Sequence, residues 1–220
     1  MSIKNKIILI TYPDSFGKNL KELNHILNTY FKDYINGVHI LPFYPSSGDR
    51  GFAPITYLKV DEKFGSWQDI DKIKKNFDLA FDFMINHISK KSKYFNDFLE
   101  KKENSIYSDM FINYTNFWPK NRPTKNDLKI IYKRKPRAPY IEVTFSNGQK
   151  EKIWCTFDPE QIDLNLNSKI TKKFIKNTLT FLASKKPSII RLDAFAYSIK
   201  KPGTSCFFIE PETWKILKYV

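Results

Sequence analysis

Cysteine is nearly absent: the chain has two, Cys155 and Cys206. Two thiols make no disulfide framework, and the expected compartment is the cytoplasm, where they stay reduced. Glycine is scarce, 7 in 220 residues, which excludes collagen-like and flexible-linker chains. Long apolar runs are missing too. The longest near the start is Ile7 to Ile10, too short for a signal-peptide core. No stretch approaches the roughly 18 apolar residues of a membrane-spanning helix, so no membrane partner is expected. Arginine is rare among the 37 basic residues, with only Arg50, Arg122, Arg134, Arg137 and Arg191. The net charge of +14 therefore comes from lysines scattered along the chain amid much asparagine and isoleucine. That pattern is a compositional bias and lacks the clustered, arginine-bearing face of a nucleic-acid binder. Attraction of anionic substrates remains physically reasonable.

What is present suits a globular chain. Apolar residues make up 41%, aromatics 16% and charged residues 27%, and the length is enough to bury a real core. Lys6 to Thr11 is a β-branched apolar run and reads as a buried strand. Leu20, Leu23, Ile26, Leu27, Tyr30 and Phe31 recur with helical spacing and predict one apolar helix face. Gly37 to Leu41 reads as a second strand, followed by a Pro/Ser/Gly loop from Pro42 to Pro54. Ser66 with Asp69 three residues on forms a capping-box pattern opening a helix to about Asn76. Leu79 to Ile85 is a third buried strand. Residues 169–186 form a long helix, with Ile170, Phe174, Ile175, Leu179, Leu182 and Ala183 on one face. Ser188 to Asp193 is a fourth strand, and Pro211 opens a final helix carrying Trp214 and Leu217.

Strands alternating with amphipathic helices imply parallel βαβ units. Residues 88–167 break the alternation with prolines, aromatics, an Asn147-Gly148 turn and strand-like runs at Tyr140 to Phe145 and Lys152 to Phe157. They read as an inserted domain. The division is 1–87 for the first three strands, 88–167 for the insertion, and 168–220 for the next helix, strand four and the start of another helix. This predicts an α/β fold, the N-terminal half of a (β/α)8 barrel with an insertion after strand three. A whole barrel needs about 250 residues. The alternative is an open doubly wound sheet.

On the fourth strand, Arg191 and Asp193 share one face because side chains alternate with period two. A charged pair at the C-terminal end of a barrel strand suits a reactive site, and a neighbouring arginine keeps a carboxylate ionised. An ionised, oriented carboxylate is what a glycosidic nucleophile must be. A structural ion pair at a strand end is the other reading. Asp82 and Asn86 share a face of the third strand, with His87 opening the next loop. His87 reads as a hydrogen-bonding group toward a sugar hydroxyl or as a structural histidine. Gln161-Ile-Asp163-Leu-Asn165 closes the insertion. Tyr132-Lys133-Arg134-Lys135-Pro136-Arg137 is the densest basic run, either a phosphate guide or a solvated loop.

Taken together, Asp82…Asn86-His87, Gln161-Ile-Asp163-Leu-Asn165 and Arg191-Leu-Asp193-Ala194 resemble three sequence regions of the α-amylase family, glycoside hydrolase family 13. Their order, their spacing and the position of the insertion all agree with that family. The finer resemblance covers essentially all 220 residues and is to sucrose phosphorylases and their relatives. It rests on LITYPDSFGKNL, GVHILPFYPSSGDRGFAP, KVDEKFGSW, FDFMINHIS, IYKRKPRAPY and RLDAFAY…GTSCFF.

The resemblance implies that Asp193 is the nucleophile, that Arg191 orients it, and that His87 contacts the bound glucose. It places Asp49 on a glucose hydroxyl, Phe52 as an apolar platform against the sugar, and Tyr197 near the acceptor. Asp49 otherwise reads as part of a plain turn, and Phe52 and Tyr197 as core aromatics. Tyr132 and Arg134 join the substrate-binding set through the basic run, which relatives acting on sucrose 6′-phosphate could use to hold the sugar phosphate. The implied substrates are sucrose or its phosphate together with inorganic phosphate, and no cofactor or metal is expected. The implied reaction is retaining transfer of glucose from sucrose to phosphate, giving α-glucose 1-phosphate and fructose. Other family 13 α-glucosidases or transglucosidases, and a non-catalytic sugar-binding remnant, are the alternatives. The family's general acid is a glutamate on the fifth strand, and the 220 residues reach only to strand four. The expectation is an N-terminal portion that is inactive by itself.

Overall fold

The computed structural model describes residues 7–220; Lys6, the first residue of the expected first strand, lies outside them. Strand β1 is Ile8–Thr11. Helix α1, Leu20–Ile26, is capped by Asn19, whose side chain accepts from the Lys21 and Glu22 N–H groups. A π-turn over Leu27–Phe31 continues it. Strand β2 is Gly37–Ile40. Helix α2, Trp67–Lys74, starts at the expected capping box, with the Ser66 hydroxyl donating to Asp69 at 2.8 Å and the Ser66 N–H at 3.1 Å. Strand β3 is Asp78–Met84 and β4 is His87–Ser89. Helices α3 (Lys93–Lys101) and α4 (Lys125–Ile130) follow. Strands β5 (Tyr140–Thr144), β6 (Lys150–Trp154) and β7 (Gln161–Asp163) come next. The chain then forms α5 (Lys169–Ser184), β8 (Ile189–Asp193) and α6 (Glu212–Tyr219).

The chain divides into two compact units. One runs to Phe83 and takes in Thr178–Leu192; the other comprises Met84–Asn177 and Asp193–Val220. The main sheet has the order β1-β2-β3-β8. The first two pairings are parallel, with Ile8 opposite Gly37 and Gly37 opposite Asp78. Along β3 and β8 the Ser188 N–H donates to Leu79 and the Ile85 N–H to Asp193, so both residue numbers rise together and this pair is parallel as well. Each barrel-type strand lies beside the one before it. A doubly wound sheet would reverse its order at a switch point, and among the described residues the order β1-β2-β3-β8 shows no reversal.

Burial follows position in the sheet more closely than apolarity. Central β2 is buried throughout, and β3 is buried from Leu79 to Met84. Edge strand β1 exposes Ile8 and Ile10, the latter at 63%, because it is covered along one edge only among the described residues. Strand β8, at the opposite edge, is half-buried at Ile190 and Leu192. Two helix faces differ from their periodicity. Tyr30 is 63% exposed, since the π-turn changes the angle per residue and rotates later side chains off the α1 stripe. In α5, Thr171, Phe174, Ile175, Thr178 and Leu182 are buried while Leu179 is half-buried and Ala183 exposed. Helix α6 buries Thr213 and Ile216 and leaves Trp214 and Leu217 exposed.

The first unit's core is aromatic, with Phe43 edge-on to Phe81 at 5.2 Å and to Trp67 at 5.5 Å. In the second unit, β5 and β6 form the hairpin that Asn147-Gly148 announces, and β4 pairs antiparallel with β7. Tyr114, Trp118, Ile131, Trp154 and Cys206 form its core cluster.

Asp69 sits at the start of α2, where it accepts from Ser66 and from the Lys72 ammonium at 3.0 Å. Burial works to raise its pKa, but the Ser66 and Lys72 hydrogen bonds outweigh it and hold the carboxyl below the usual range. A depressed pKa contributes stability above the unfolded carboxylate pKa, and that contribution fades as pH falls through the folded value. Asp69→Ala is therefore expected to cost about 1 kcal/mol at neutral pH. In urea unfolding, the gap to the unmutated chain should close as the pH is lowered below the carboxylate range. A gap independent of pH would show that the carboxylate charge is not what stabilises this end of α2.

Candidate active site

In the first unit, three adjacent strands deliver three polar side chains to one row. His39 on β2 lies opposite Ala80 on β3, and Asp82 is two residues further along the same face. His39 Nε2 meets Asp82 Oδ2 at 2.9 Å, and Arg191 Nη1 from β8 donates to Asp82 Oδ1 at 2.6 Å. The Tyr44 hydroxyl donates to the Asp82 carbonyl at 3.2 Å. Burial, then the neighbouring Tyr57 and Asp82, push the Tyr44 pKa well up, so the phenol stays a neutral donor. Asp82 is fully buried with a partner on each oxygen. That excludes it as a nucleophile and makes it the anchor of the Arg191 guanidinium.

The same unit holds a cavity of about 340 Å³ lined by Tyr12, Asp14, Tyr44, Asp49, Arg50 and Phe64, among others. Asp49 reaches it from a tight turn, Asp49–Gly51, in which Asp49 and Arg50 both have φ of +49°. Side chains rarely hold this left-handed region unless their surroundings enforce it. Here Arg50 is fixed by Asp14 at 2.8 Å and lies 4.2 Å over the Tyr12 ring. The Ser46 hydroxyl bonds the Gly48 and Ala53 carbonyls across the loop. Phe52 ends the turn, its N–H donating to Asp49 at 3.0 Å, and is half-buried.

Gly51 makes the turn possible. Its φ is +102°, and a Cβ there would lie 2.5 Å from the Pro42 carbonyl oxygen. Gly51→Ala is expected to destabilise the fold by about 1–3 kcal/mol, read as a lowered urea midpoint. An unchanged midpoint would mean the turn accommodates a side chain at this position.

In the second unit, Asp193 is the last residue of β8, and its backbone carbonyl accepts from the Ile85 N–H at 3.3 Å. Ala194 follows with φ of +55° and leads into a single 3-10 turn over Phe195–Tyr197. The strand thus stops abruptly at the carboxylate. His87 on β4 is buried, with Gln161 Nε2 3.2 Å from its Nε2 and Phe157 packed at 5.2 Å. Tyr197 packs on Phe157 at 4.8 Å and on Phe207 at 4.9 Å. Its pKa is raised, by burial first and then by Tyr132, while the Arg134 charge opposes the rise.

Tyr132, Arg134 and Tyr197 line one recess of about 10 Å³, room for about one water. The basic run splits in two. Lys133, Arg134 and Lys135 are exposed. Arg137 turns inward and donates to the carbonyls of Ala138, Tyr140 and Phe157 at 2.9–3.1 Å. It holds the loop together and is not available to an anion. Burial pushes the Cys155 thiol up to about 12, so it supplies no thiolate at neutral pH.

One constellation gave no sequence signal. The Lys200 ammonium is buried and bonds Asn86 Oδ1 at 2.6 Å, Asp163 Oδ2 at 2.7 Å and the Tyr197 carbonyl. The Thr156 N–H donates to the other Asp163 oxygen at 2.9 Å. Both Asp163 oxygens are spent, so this carboxylate too is structural. His39 was likewise invisible as a partner of Asp82, because only the β2–β3 register brings them together.

Comparison with known proteins agrees with this geometry. Residues 12–206 match the family described as Alpha amylase, catalytic domain. The chain is 54% identical over its full length to a sucrose phosphorylase of Streptococcus mutans, covering 46% of that protein. It is 50% identical to a sucrose 6(F)-phosphate phosphorylase of Thermoanaerobacterium thermosaccharolyticum, again covering all of this chain and 46% of the relative. The crystal structure of sucrose 6F-phosphate phosphorylase from Thermoanaerobacter thermosaccharolyticum superposes with a TM-score of 0.95 at 48% identity, over all of this chain and 45% of that one. The chain thus spans about half the length of the relatives it matches. With four parallel strands in sequential order and a family match over most of its length, the chain belongs to the α-amylase catalytic-domain family and corresponds to the N-terminal half of its (β/α)8 barrel.

Proposed function

We propose that these residues supply the nucleophile and part of the sugar-binding wall of a retaining disaccharide phosphorylase that acts in the cytoplasm on sucrose and phosphate. The observation that carries the reading is Asp193, a carboxylate ending a parallel strand beside a left-handed alanine, in a chain 54% identical to a sucrose phosphorylase. An Asp193 oxygen attacks the anomeric carbon as the bond to fructose breaks, and a general acid protonates the departing fructose oxygen. By the family resemblance that acid is a glutamate of a fifth strand. A phosphate oxygen then attacks the anomeric carbon from the face that fructose left, opposite Asp193, the carboxylate departs, and two inversions return α-glucose 1-phosphate. Arg191 steadies the strand through Asp82, and the family resemblance gives Asp49, Phe52 and His87 as the groups that contact the glucose.

A second reading concerns the acceptor. Arg134 is exposed between Lys133 and Lys135 and its charge is felt at Tyr197, which suits a phosphorylated fructose. The test uses the natural polypeptide that carries these residues, incubated with sucrose or sucrose 6′-phosphate, with and without inorganic phosphate. Phosphorus NMR should show α-glucose 1-phosphate only when phosphate is present. Equal release of free glucose in both cases would replace phosphorolysis by hydrolysis. If the phosphorylated sugar is the substrate, Arg134→Ala raises KM for it alone.

A further inference from the structure

The second unit contains a cleft lined by none of the residues proposed above to bind or attack the sugar. Its volume is about 240 Å³, and its walls come from residues 111–117, 165–167 and 198–200. That is smaller than the roughly 300–1,000 Å³ of drug-sized pockets and suits an occupant the size of a monosaccharide or short polyol. Phe117, Leu166 and Ile199 give it apolar surface.

Its polar groups sort into spent and available. The Asn113 oxygen accepts from the Thr115 and Asn116 N–H groups at 3.0 Å each, and its amide nitrogen donates to Glu151. The Asn165 oxygen accepts from the Asn167 N–H at 3.2 Å, and its nitrogen donates to the Asp109 carbonyl at 3.1 Å. Lys200 lines the cleft, but its three N–H groups go to Asn86, Asp163 and the Tyr197 carbonyl. What remains is the pair of exposed carboxamides of Asn116 and Asn167 and the Ser198 hydroxyl. Ser198 is 2% exposed, and its Oγ has no hydrogen-bond partner. Buried hydroxyls are normally paired, so an orphan in a cleft wall points to something bound there.

The cleft offers no uncommitted charge, so its occupant is neutral. Carboxamides and a serine hydroxyl both donate and accept, as sugar hydroxyls do, and the Phe117 ring can cover a C–H face. We propose that this cleft is a second binding site, separate from the Asp49 cavity and from Asp193, for a small uncharged polyhydroxylated molecule such as a monosaccharide or polyol.

The test reads binding and is independent of whether the chain is a phosphorylase. The natural polypeptide carrying Asp193→Asn, to prevent turnover, is methyl-labelled and titrated with sorbitol and with D-fructose. Saturable shifts of the Ile199, Leu166 and Ile112 methyls are expected, and they should persist when Asp49→Ala is added. Asn116→Leu and Asn167→Leu change exposed residues and should keep the fold while weakening binding by about tenfold or more; Ser198→Ala should do the same. Unmoved methyls, or shifts that never saturate, would overturn the proposal. Shifts abolished by Asp49→Ala yet untouched by Asn167→Leu would overturn it too, by placing the sugar in the other cavity.

Discussion

Asp193→Asn is expected to lower glucosyl transfer by about four orders of magnitude or more if Asp193 is the nucleophile proposed above. The carboxamide keeps the size and shape of the aspartate but has no anionic oxygen with which to form the glucosyl ester. The loss should appear in kcat, with sugar affinity little changed, because the surrounding strand end is untouched. Two fully buried aspartates serve as internal controls. Asp82 has His39 on one oxygen and Arg191 on the other, and Asp163 has Thr156 and Lys200. Substituting either should show first in the unfolding midpoint and only then in rate. Asp193→Gly gives a second readout. Azide entering the vacated position attacks the anomeric carbon from the nucleophile's face, fructose departs with a proton from the general acid, and β-glucosyl azide forms. Retained phosphorolysis in Asp193→Asn, or an α-azide from Asp193→Gly, would show that another group is the nucleophile.

The four strands of the main sheet and helices α1, α2, α5 and α6 were legible because their signals are local. The capping box at Ser66, the Asn147-Gly148 hairpin and the four apolar strand runs each depend on a few neighbouring residues, and each appears where expected. Edge exposure was not legible. Ile10 and Val38 are equally apolar, but Val38 is fully buried while Ile10 is exposed, since among the described residues β2 has neighbours on both sides and β1 on one. The face shared by Arg191 and Asp193 could be read from the period of two. The partner Arg191 takes could not, because Asp82 is 109 residues away and arrives through strand order. Likewise nothing in Lys133-Arg134-Lys135-Pro136-Arg137 marks the last arginine as the one that turns inward to three carbonyls.

Lys200 and Lys201 carry this furthest, since adjacent residues of one type do opposite things. Lys201 meets Glu212 at 3.1 Å with its side chain 53% exposed, where water competes for both charges and a pair contributes little. The Lys200 side chain is 2% exposed and its ammonium is shared among a carboxylate, an amide oxygen and a backbone carbonyl. Removing one partner of a buried pair strands the other charge and typically costs about 3–5 kcal/mol, much of the roughly 5–15 kcal/mol that holds a domain folded. Lys200→Met is thus expected to lower the urea midpoint steeply, and Lys201→Met to leave it in place. The double variant Lys200→Met/Asp163→Asn should recover part of the loss, because a neutral amide needs no buried counter-charge. Nearly equal midpoints for Lys200→Met and Lys201→Met would mean that the buried ammonium is not what ties Asn86 and Asp163 together. No recovery in the double variant would shift the cost from the stranded charge to the lost packing of the lysine stem.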